Sequence, residues 1–134
     1  EQINQLLVNL CNNAFQALSG ASGHISVSLR EEDVSGQLAK RHPNLAPGSH
    51  VVLEVRDTGT GMDAATQERI FEPFFTTQEV GKGTGLGLSV VHGIVKRHDG
   101  EIVVESEPGR GTRFSIYLPP VGQVEESRQD IARM

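Results

Sequence analysis

The sequence predicts a two-layer α/β domain, in which helices pack on a sheet built from antiparallel hairpins. Apolar residues repeat at helical spacing in two long stretches, and they alternate in four shorter stretches that are grouped in pairs. The length of 134 residues suits one domain with one hydrophobic core. A content of 37% apolar and 22% charged residues is typical of a globular protein.

The first half of the chain reads as a helix followed by a hairpin. Residues 2–18 have the amphipathic spacing of a helix, which the small residues at 19–23 end. Alternating side chains predict strands at residues 24–29 and 51–56. The polar segment 31–50, which contains several glycines and prolines, predicts a long connection inside this hairpin.

The second half reads as two helices followed by a second hairpin. Asp63 is a suitable N-cap for a short helix over residues 64–71, and Pro73 prevents that helix from continuing. Residues 76–86 read as a glycine-rich loop. The remaining predictions are a helix over residues 86–100 that Gly100 closes, strands over 101–107 and 112–119, and a tail or linker over 120–134 that follows a domain of residues 1–119.

Composition and charge exclude several classes of function. A net charge of −5 disfavours binding to nucleic acid or to an anionic membrane surface. The single cysteine, Cys11, rules out an intrachain disulfide, and its apolar helical setting predicts a buried thiol. No apolar run approaches the roughly 18 residues of a membrane span. The sequence begins without methionine, so we expect a fragment of a longer polypeptide. We expect this fragment to be cytoplasmic and to make no direct membrane contact, whether or not its parent polypeptide is membrane-anchored.

Two asparagines in the first helix are candidates for metal binding. Asn9 and Asn13 are four residues apart and therefore share a helix face. An amide oxygen can ligate Mg²⁺, which takes few protein ligands and completes its shell with phosphates and water. Taken alone, the pair is better explained as part of a solvent-facing polar stripe with Gln5, Asn12 and Gln16.

The stretch DTGTGMD, residues 57–63, places an acid directly after a strand, with Gly59 and Gly61 close behind it. Such a segment can be a simple turn. It can also be a recognition site, since a carboxylate accepts a hydrogen bond from an exocyclic amine and glycine leaves room for a flat base.

The stretch GKGTGLGLS, residues 81–89, offers backbone N–H groups just before a helix, an arrangement that suits phosphate. The spacing is not that of a P-loop. A Rossmann site is a poor match, because FEPFFTTQEV, and not a strand, precedes the glycines.

Taken in order, the motifs NLCNNA, DTGTGMD, IFEPFFTT, GKGTGLGLS and GRGTRFSIYLP resemble the catalytic, ATP-binding domain of bacterial sensor histidine kinases. The resemblance runs from about residue 2 to residue 119. It implies the Bergerat (GHKL superfamily) fold, an α/β sandwich with a mixed, mostly antiparallel sheet that helices cover on one face. It also implies ATP and Mg²⁺ as cofactors.

The resemblance assigns roles to residues at the base and at the metal. Asn13 matches the asparagine that binds Mg²⁺, and Asn9 matches a residue near the phosphates. Asp57 matches the acid that receives the adenine amine. Around the base, the resemblance places Gly59, Gly61 and Met62, with Thr112 acting near the adenine through ordered water.

Two further motifs complete the implied site. The phenylalanine box, which flanks a mobile lid, corresponds to Phe71, Phe74 and Phe75. The second glycine box, at the phosphates, comprises Lys82, Gly83, Thr84, Gly85, Leu86, Gly87 and Leu88. Asn9, Asn13 and Lys82 are the residues for which the resemblance implies a catalytic role.

Asn9 favours phosphoryl transfer over hydrolysis. In hydrolytic members of the superfamily, the residue four positions before the Mg²⁺ asparagine is a glutamate that activates water, and an amide cannot take a proton near neutral pH. The alternatives are a GHKL-type ATPase, an anti-sigma-like serine kinase, and a module that binds nucleotide without turnover.

The sequence departs from the family pattern at two points. Gln78 stands where members of this type often carry a lysine, so a cation near the γ-phosphate is missing. None of the five histidines has the setting of a phosphoacceptor, and His98 reads as a helix-end residue. We therefore expect a monomeric fragment whose partners are the dimerisation and histidine phosphotransfer domain of the same kinase and a downstream response regulator.

Overall fold

The computed structural model describes residues 2–43, 45–75 and 87–119. In these ranges the chain forms helices and strands in the order α1 (Gln2–Ala17), β1 (Ile25–Val34), α2 (Gly36–Arg41), β2 (Gly48–Asp57), α3 (Ala64–Gln67), α4 (Gly87–Arg97), β3 (Glu101–Glu107) and β4 (Gly111–Leu118).

The described strands form one sheet in the order β1-β2-β4-β3, and every described pairing is antiparallel. Val27 lies opposite Val55, and Val55 lies opposite Phe114, so these three side chains share one face of the sheet. That face carries the main core, and helices α1 and α4 pack on it. The buried members of this core are Leu6, Leu10, Ala14, Leu53, Val55, Ile70, Val91, Ile94, Val95, Ile102, Phe114 and Ile116.

This architecture confirms the predicted fold class, a two-layer α/β sandwich in which helices cover one face of a mostly antiparallel sheet. The two long helices and the hairpin of β3 and β4 lie where the sequence predicts them, within three residues. The burial of Val91, Ile94 and Val95 explains the helical spacing that predicted α4.

The prediction of one long connection over residues 31–50 is wrong. Strand β1 continues to Val34, β2 begins at Gly48, and α2 lies between them with Ser35 as its N-cap. The reason is a second, smaller cluster on the other face of the sheet, where Val34 and Leu45 are buried with Val52, Val103 and Tyr117. Most residues of this segment are polar, so its sequence does not indicate that Val34 and Leu45 are buried and fix its path.

Helix α3 begins as predicted but ends early. The Asp63 side chain accepts a hydrogen bond from the Thr66 backbone N–H at 2.8 Å, as expected of an N-cap. The helix ends at Gln67 and not at residue 71, because the following turns carry Ile70 into the core.

Helix α4 ends in a Schellman motif. The Gly100 N–H donates to the Val95 carbonyl at 2.9 Å, and the Asp99 N–H donates to the Lys96 carbonyl at 3.2 Å. The residue in the left-handed conformation is Asp99, with φ of 58°, and not the glycine. Gly100 is needed for another reason, because a Cβ there would lie 2.6 Å from the Tyr117 carbonyl oxygen. The His98 Nδ1 lies 2.9 Å from the Ile94 carbonyl oxygen, which agrees with its predicted place at the helix end.

Cys11 is half-buried and not fully buried as predicted, because it lies on the flank of α1 beside the core face. The loop predicted at residues 76–86 and the tail predicted at 120–134 lie outside the described residues. None of the described helices combines the length and the hydropathy needed to cross a membrane.

Candidate nucleotide-binding site

Asp57 ends β2 as a buried carboxylate. Its side chain is 2% exposed, and its Oδ1 accepts a hydrogen bond from the Gly59 backbone N–H at 2.9 Å. Burial raises the pKa of this carboxyl, while the backbone N–H groups of Gly59 and Thr112 partly offset that effect. A buried acid with capacity left for another hydrogen bond can receive the amino group of a base.

The glycines after Asp57 are required by contacts within the protein. A Cβ on Gly59 would lie 2.4 Å from the Ala17 carbonyl oxygen at the end of α1. Gly61 has φ of 69°, and a Cβ there would lie 1.9 Å from the Glu107 carbonyl oxygen. These two glycines therefore hold the segment against α1 on one side and against the hairpin of β3 and β4 on the other.

Ser106 links this segment to β4. Its Oγ accepts a hydrogen bond from the Met62 backbone N–H at 2.8 Å and donates to the Gly111 carbonyl at 3.0 Å. The Thr112 Oγ1 lies 2.8 Å from the same oxygen. Since the Ser106 proton points at Gly111, Thr112 donates to Ser106 and keeps its own oxygen lone pairs free to accept a hydrogen bond.

Gln67 adds a second link at the same place. Its Nε2 donates to the Met62 carbonyl at 3.0 Å and to the Ser106 carbonyl at 3.2 Å. Neither Ser106 nor Gln67 was predicted from the sequence, because each belongs to an ordinary helix or strand pattern and neither lies in a recognisable motif.

The two asparagines of α1 are half-buried on the side of the helix that faces α4. The Asn9 Nδ2 donates a hydrogen bond, at 3.4 Å, to the carbonyl of Gly87, which is the first residue of α4. Among the described residues, no hydrogen bond joins the Asn13 amide to another group. The Asn13 amide oxygen, one helical turn away from Asn9, therefore accepts no hydrogen bond from the described part of the chain.

Helix α1 connects the two ends of the candidate site. At its carboxyl end, the Ala17 carbonyl accepts from the Thr60 backbone N–H at 2.9 Å, next to Asp57 and Gly59. Asn9 lies eight residues earlier, about 12 Å along the helix axis. The helix thus forms one wall that runs from the buried acid to the start of α4.

Two of the three phenylalanines pack against neighbours on the core. The rings of Phe71 and His92 are 5.3 Å apart, and the Arg69 guanidinium lies 4.6 Å from the centre of the Phe75 ring. Phe74 is 73% exposed and has φ of 68°. Of the second glycine box, Gly87 and Leu88 belong to α4, whereas Lys82, Gly83, Thr84, Gly85 and Leu86 lie outside the described residues.

Comparison with known proteins assigns the family. Residues 1–122 match the family described as histidine kinase-, DNA gyrase B- and HSP90-like ATPases. The chain belongs to this family. The match covers both hydrogen-bonded ends of the site and the helix that joins them.

Curated relatives of the chain are sensor kinases. It is 47% identical over 131 residues to the sensor kinase CckA of Brucella abortus (strain 2308), which is 98% of this chain and 14% of that protein. It is 38% identical over 129 residues to sporulation kinase E of Bacillus subtilis (strain 168), covering 96% of this chain and 15% of that protein. The chain thus spans about a seventh of the length of these relatives.

Solved structures show the same fold. The catalytic domain of the histidine kinase ThkA superposes with a TM-score of 0.64 at 33% identity, over 88% of this chain and 66% of that one. The mycobacterial sensor histidine kinase MprB gives a TM-score of 0.66 at 26% identity, over 88% of this chain and 70% of that one. The chain therefore corresponds to the ATP-binding catalytic domain of sensor histidine kinases.

Proposed function

We propose that this domain binds Mg²⁺-ATP and donates the γ-phosphoryl group to a histidine on a separate dimerisation and phosphoacceptor domain of the same kinase. The observation that carries the proposal is the Asn9 side chain, which lies beside the start of α4 and donates to the Gly87 carbonyl. An amide at this position cannot remove a proton from water. Transfer to an acceptor supplied by another domain is then favoured over hydrolysis.

The base end supports adenine recognition. The buried carboxylate of Asp57 would accept a hydrogen bond from the adenine amine, and the free lone pairs of Thr112 would accept one from ordered water near the base. Met62 lies beside them, half-buried against the core. One structural relative, full-length ShkA, was solved in complex with AMPPNP. It is 29% identical to this chain with a TM-score of 0.63, over 88% of this chain and 21% of that one.

The metal end supports a single protein ligand for Mg²⁺. The free amide oxygen of Asn13 fits this role, because Mg²⁺ takes few protein ligands and keeps phosphate oxygens and water. No cluster of three His, Cys, Asp or Glu side chains among the described residues offers a competing metal site. When bound, the ion would neutralise phosphate charge, and the chain would position the nucleotide.

The remaining assignments rest on the motif alone. We assign Lys82 and the backbone of residues 83–88 to the phosphates, and the phenylalanine box at Phe71, Phe74 and Phe75 to the edge of the nucleotide. We further propose a response regulator as the downstream partner, a monomeric state for the isolated domain and a cytoplasmic location.

The test is ATP turnover with Mg²⁺, in which free phosphate and protein-bound phosphate are measured alongside nucleotide binding. We expect the domain to bind ATP, to release almost no phosphate, and to phosphorylate a histidine once the phosphoacceptor domain of its parent kinase is added.

Rapid phosphate release by the domain alone would contradict the proposal. It would mean that a group other than Asn9 activates water, and the ATPase function would replace the kinase function. Labelling of a serine in an added partner would instead support the serine kinase.

A further inference from the structure

The outer face of the sheet, which points away from α1 and α4, is open where β2 ends and β4 begins. The smaller apolar cluster with Val52 and Tyr117 covers this face towards the other end of the two strands. The open end carries a cleft of about 230 Å³. The charged residues on the strands and the hairpin turn that line this cleft are Arg56, Glu105, Glu107, Arg110 and Arg113.

Two arginines lie side by side in this cleft. Val55 and Phe114 belong to the main core, so Arg56, which follows the first, and Arg113, which precedes the second, point to the outer face. The register places the two arginines directly opposite each other, with Cβ atoms about 5 Å apart. Like charges in directly opposed positions destabilise a strand pair. The arrangement therefore favours an anion between the two guanidinium groups.

Arg56 lacks the ion pair that the neighbouring arginines of this face have. Arg113 is bonded to Glu105, which lies opposite it on β3. Glu54 lies two residues before Arg56 on the same face, but its carboxylate accepts from the Arg30 guanidinium at 3.2 Å. No acid in the described part of the chain pairs with Arg56, whose side chain is exposed. The N–H groups of Arg56 are therefore available to a ligand.

The other groups that line the cleft do not neutralise Arg56. The Arg110 Nε lies 3.5 Å from the Glu107 carboxylate at the exposed hairpin turn. Asp57 also lines the cleft, but strand alternation directs its side chain to the core face, where its carboxylate is buried and accepts from the Gly59 N–H. Each of these acids thus has a partner of its own.

We propose that this cleft binds the phosphate group of a small anionic ligand between Arg56 and Arg113. A guanidinium group presents paired N–H donors that match phosphate, and Arg113 keeps donors beyond the one that binds Glu105. A phosphate group offers three free oxygens to two facing guanidinium groups, whereas a carboxylate offers two. The volume of the cleft is below the roughly 300 Å³ at which pockets for drug-sized molecules begin, which indicates a small ligand.

The phosphate site would be separate from the candidate nucleotide site. Arg56 precedes Asp57 and Arg113 follows Thr112, but successive side chains of a strand point to opposite faces. The two sites would therefore lie back to back on the same strand ends. The inference does not depend on the proposed function, because neither arginine takes part in the base end or the metal end.

The test is a titration of the 134-residue chain with inorganic phosphate, without nucleotide and at an ionic strength held constant with sodium chloride. The Nε–Hε signals of the arginines, followed by NMR, report binding at each guanidinium group. We expect saturable shifts at Arg56 and Arg113. In Arg56→Gln, we expect the dissociation constant measured at Arg113 to rise by about tenfold or more.

Arg41→Gln is the matched control. It removes one exposed positive charge on α2 and leaves every group that lines the cleft in place, so its dissociation constant should equal that of the unchanged chain. The control separates a loss of local contacts in Arg56→Gln from a change in net charge.

Three results would overturn the proposal. An Arg56 signal that does not saturate with phosphate would show that the cleft binds no anion. Equal dissociation constants in Arg56→Gln and Arg41→Gln would place the phosphate elsewhere on the chain. Acetate that binds at Arg56 as tightly as phosphate would assign the cleft to a carboxylate, such as an acidic side chain of another protein segment.

Discussion

The two ends of the candidate site differ in how far the protein itself satisfies their polar groups. At the base end, Asp57 and Ser106 are hydrogen-bonded to the surrounding backbone, and the Thr112 hydroxyl is hydrogen-bonded to Ser106. At the metal end, the side-chain amide of Asn13 makes no hydrogen bond to the described residues. The base end is thus preorganised by the fold, whereas the metal end leaves an acceptor for a ligand. Removing the groups that link the segments at the base end should cost stability, whereas removing the Asn13 amide should cost binding alone.

The largest expected loss of stability is at Gly61. Gly61→Val introduces a Cβ that would lie 1.9 Å from the Glu107 carbonyl oxygen at a φ of 69°. We expect the free energy of unfolding to fall by about 3 kcal/mol or more, measured by urea denaturation. The control is Gly36→Ala, since a Cβ there meets nothing within 4 Å, and it should change the free energy by about 0.5 kcal/mol or less. If the Gly61 variant were as stable as this control, the close contact of Gly61 with the Glu107 carbonyl would not be what stabilises the base end.

Ser106→Ala should have the next largest effect on stability. It removes the acceptor for the Met62 N–H and the partner of the Thr112 hydroxyl, so we expect a loss of about 1–3 kcal/mol in the free energy of unfolding. Ser28→Ala, on an exposed part of β1, serves as the control and should be close to neutral. Similar urea midpoints for the two variants would show that Ser106 does not join the hairpin to the Met62 segment.

Asp57→Asn separates recognition from stability. Burial raises the pKa of Asp57, so the folded state holds this proton more tightly than the unfolded state, and its ionisation costs stability as pH rises through the folded pKa. The neutral amide removes that cost and can still accept from Gly59. We expect an unchanged or slightly higher free energy of unfolding at pH 7. By calorimetry, we expect the ADP affinity to fall by about tenfold or more.

The same shift predicts a pH dependence of binding. Protonation of Asp57 would remove an acceptor for the adenine amine, so ADP affinity should fall as the pH is lowered through the raised pKa. This part of the pH profile should be missing in Asp57→Asn. Equal ADP affinity of variant and parent at every pH would contradict the assignment of Asp57 to the base.

Asn13→Ala should have the smallest effect on stability. Since the amide bonds to no described residue, we expect a change in the free energy of unfolding of about 0.5 kcal/mol or less, similar to that of its exposed neighbour in Asn12→Ala. A loss of more than about 2 kcal/mol at Asn13 alone would show that this end is also structural.

The sequence predicted those parts of the fold and of the candidate site that depend on interactions between residues close together in the chain. The spacing of Asn9 and Asn13, the position of Asp57 at a strand end and the Asp63 N-cap are local features. The two long helices and the second hairpin followed from periodicity. The path of residues 31–50 was predicted wrongly, because it depends on Leu45 reaching a cluster formed with Val52 and Tyr117. Hydrogen bonds to Ser106 join segments that are about 40 residues apart in the sequence, and no residue pattern predicts such contacts.

The glycines illustrate the same limit. The sequence indicated that Gly59 and Gly61 allow a close approach, and the resemblance implied that a base is what approaches. In the structure, the groups that come within reach are the carbonyl oxygens of Ala17 and Glu107. Glycine density therefore predicted crowding at this point of the chain, and the contact of these glycines with a base stays a prediction.

The most direct test of the contrast between the two ends is the affinity for ATP with and without Mg²⁺, measured by calorimetry on Asn13→Ala, Asn12→Ala and the unchanged protein. We expect Mg²⁺ to strengthen ATP binding in the unchanged protein and in Asn12→Ala, and to have no effect in Asn13→Ala, with all three equally stable. An Mg²⁺ effect in Asn13→Ala as large as in the unchanged protein would contradict the assignment of the free amide to the metal.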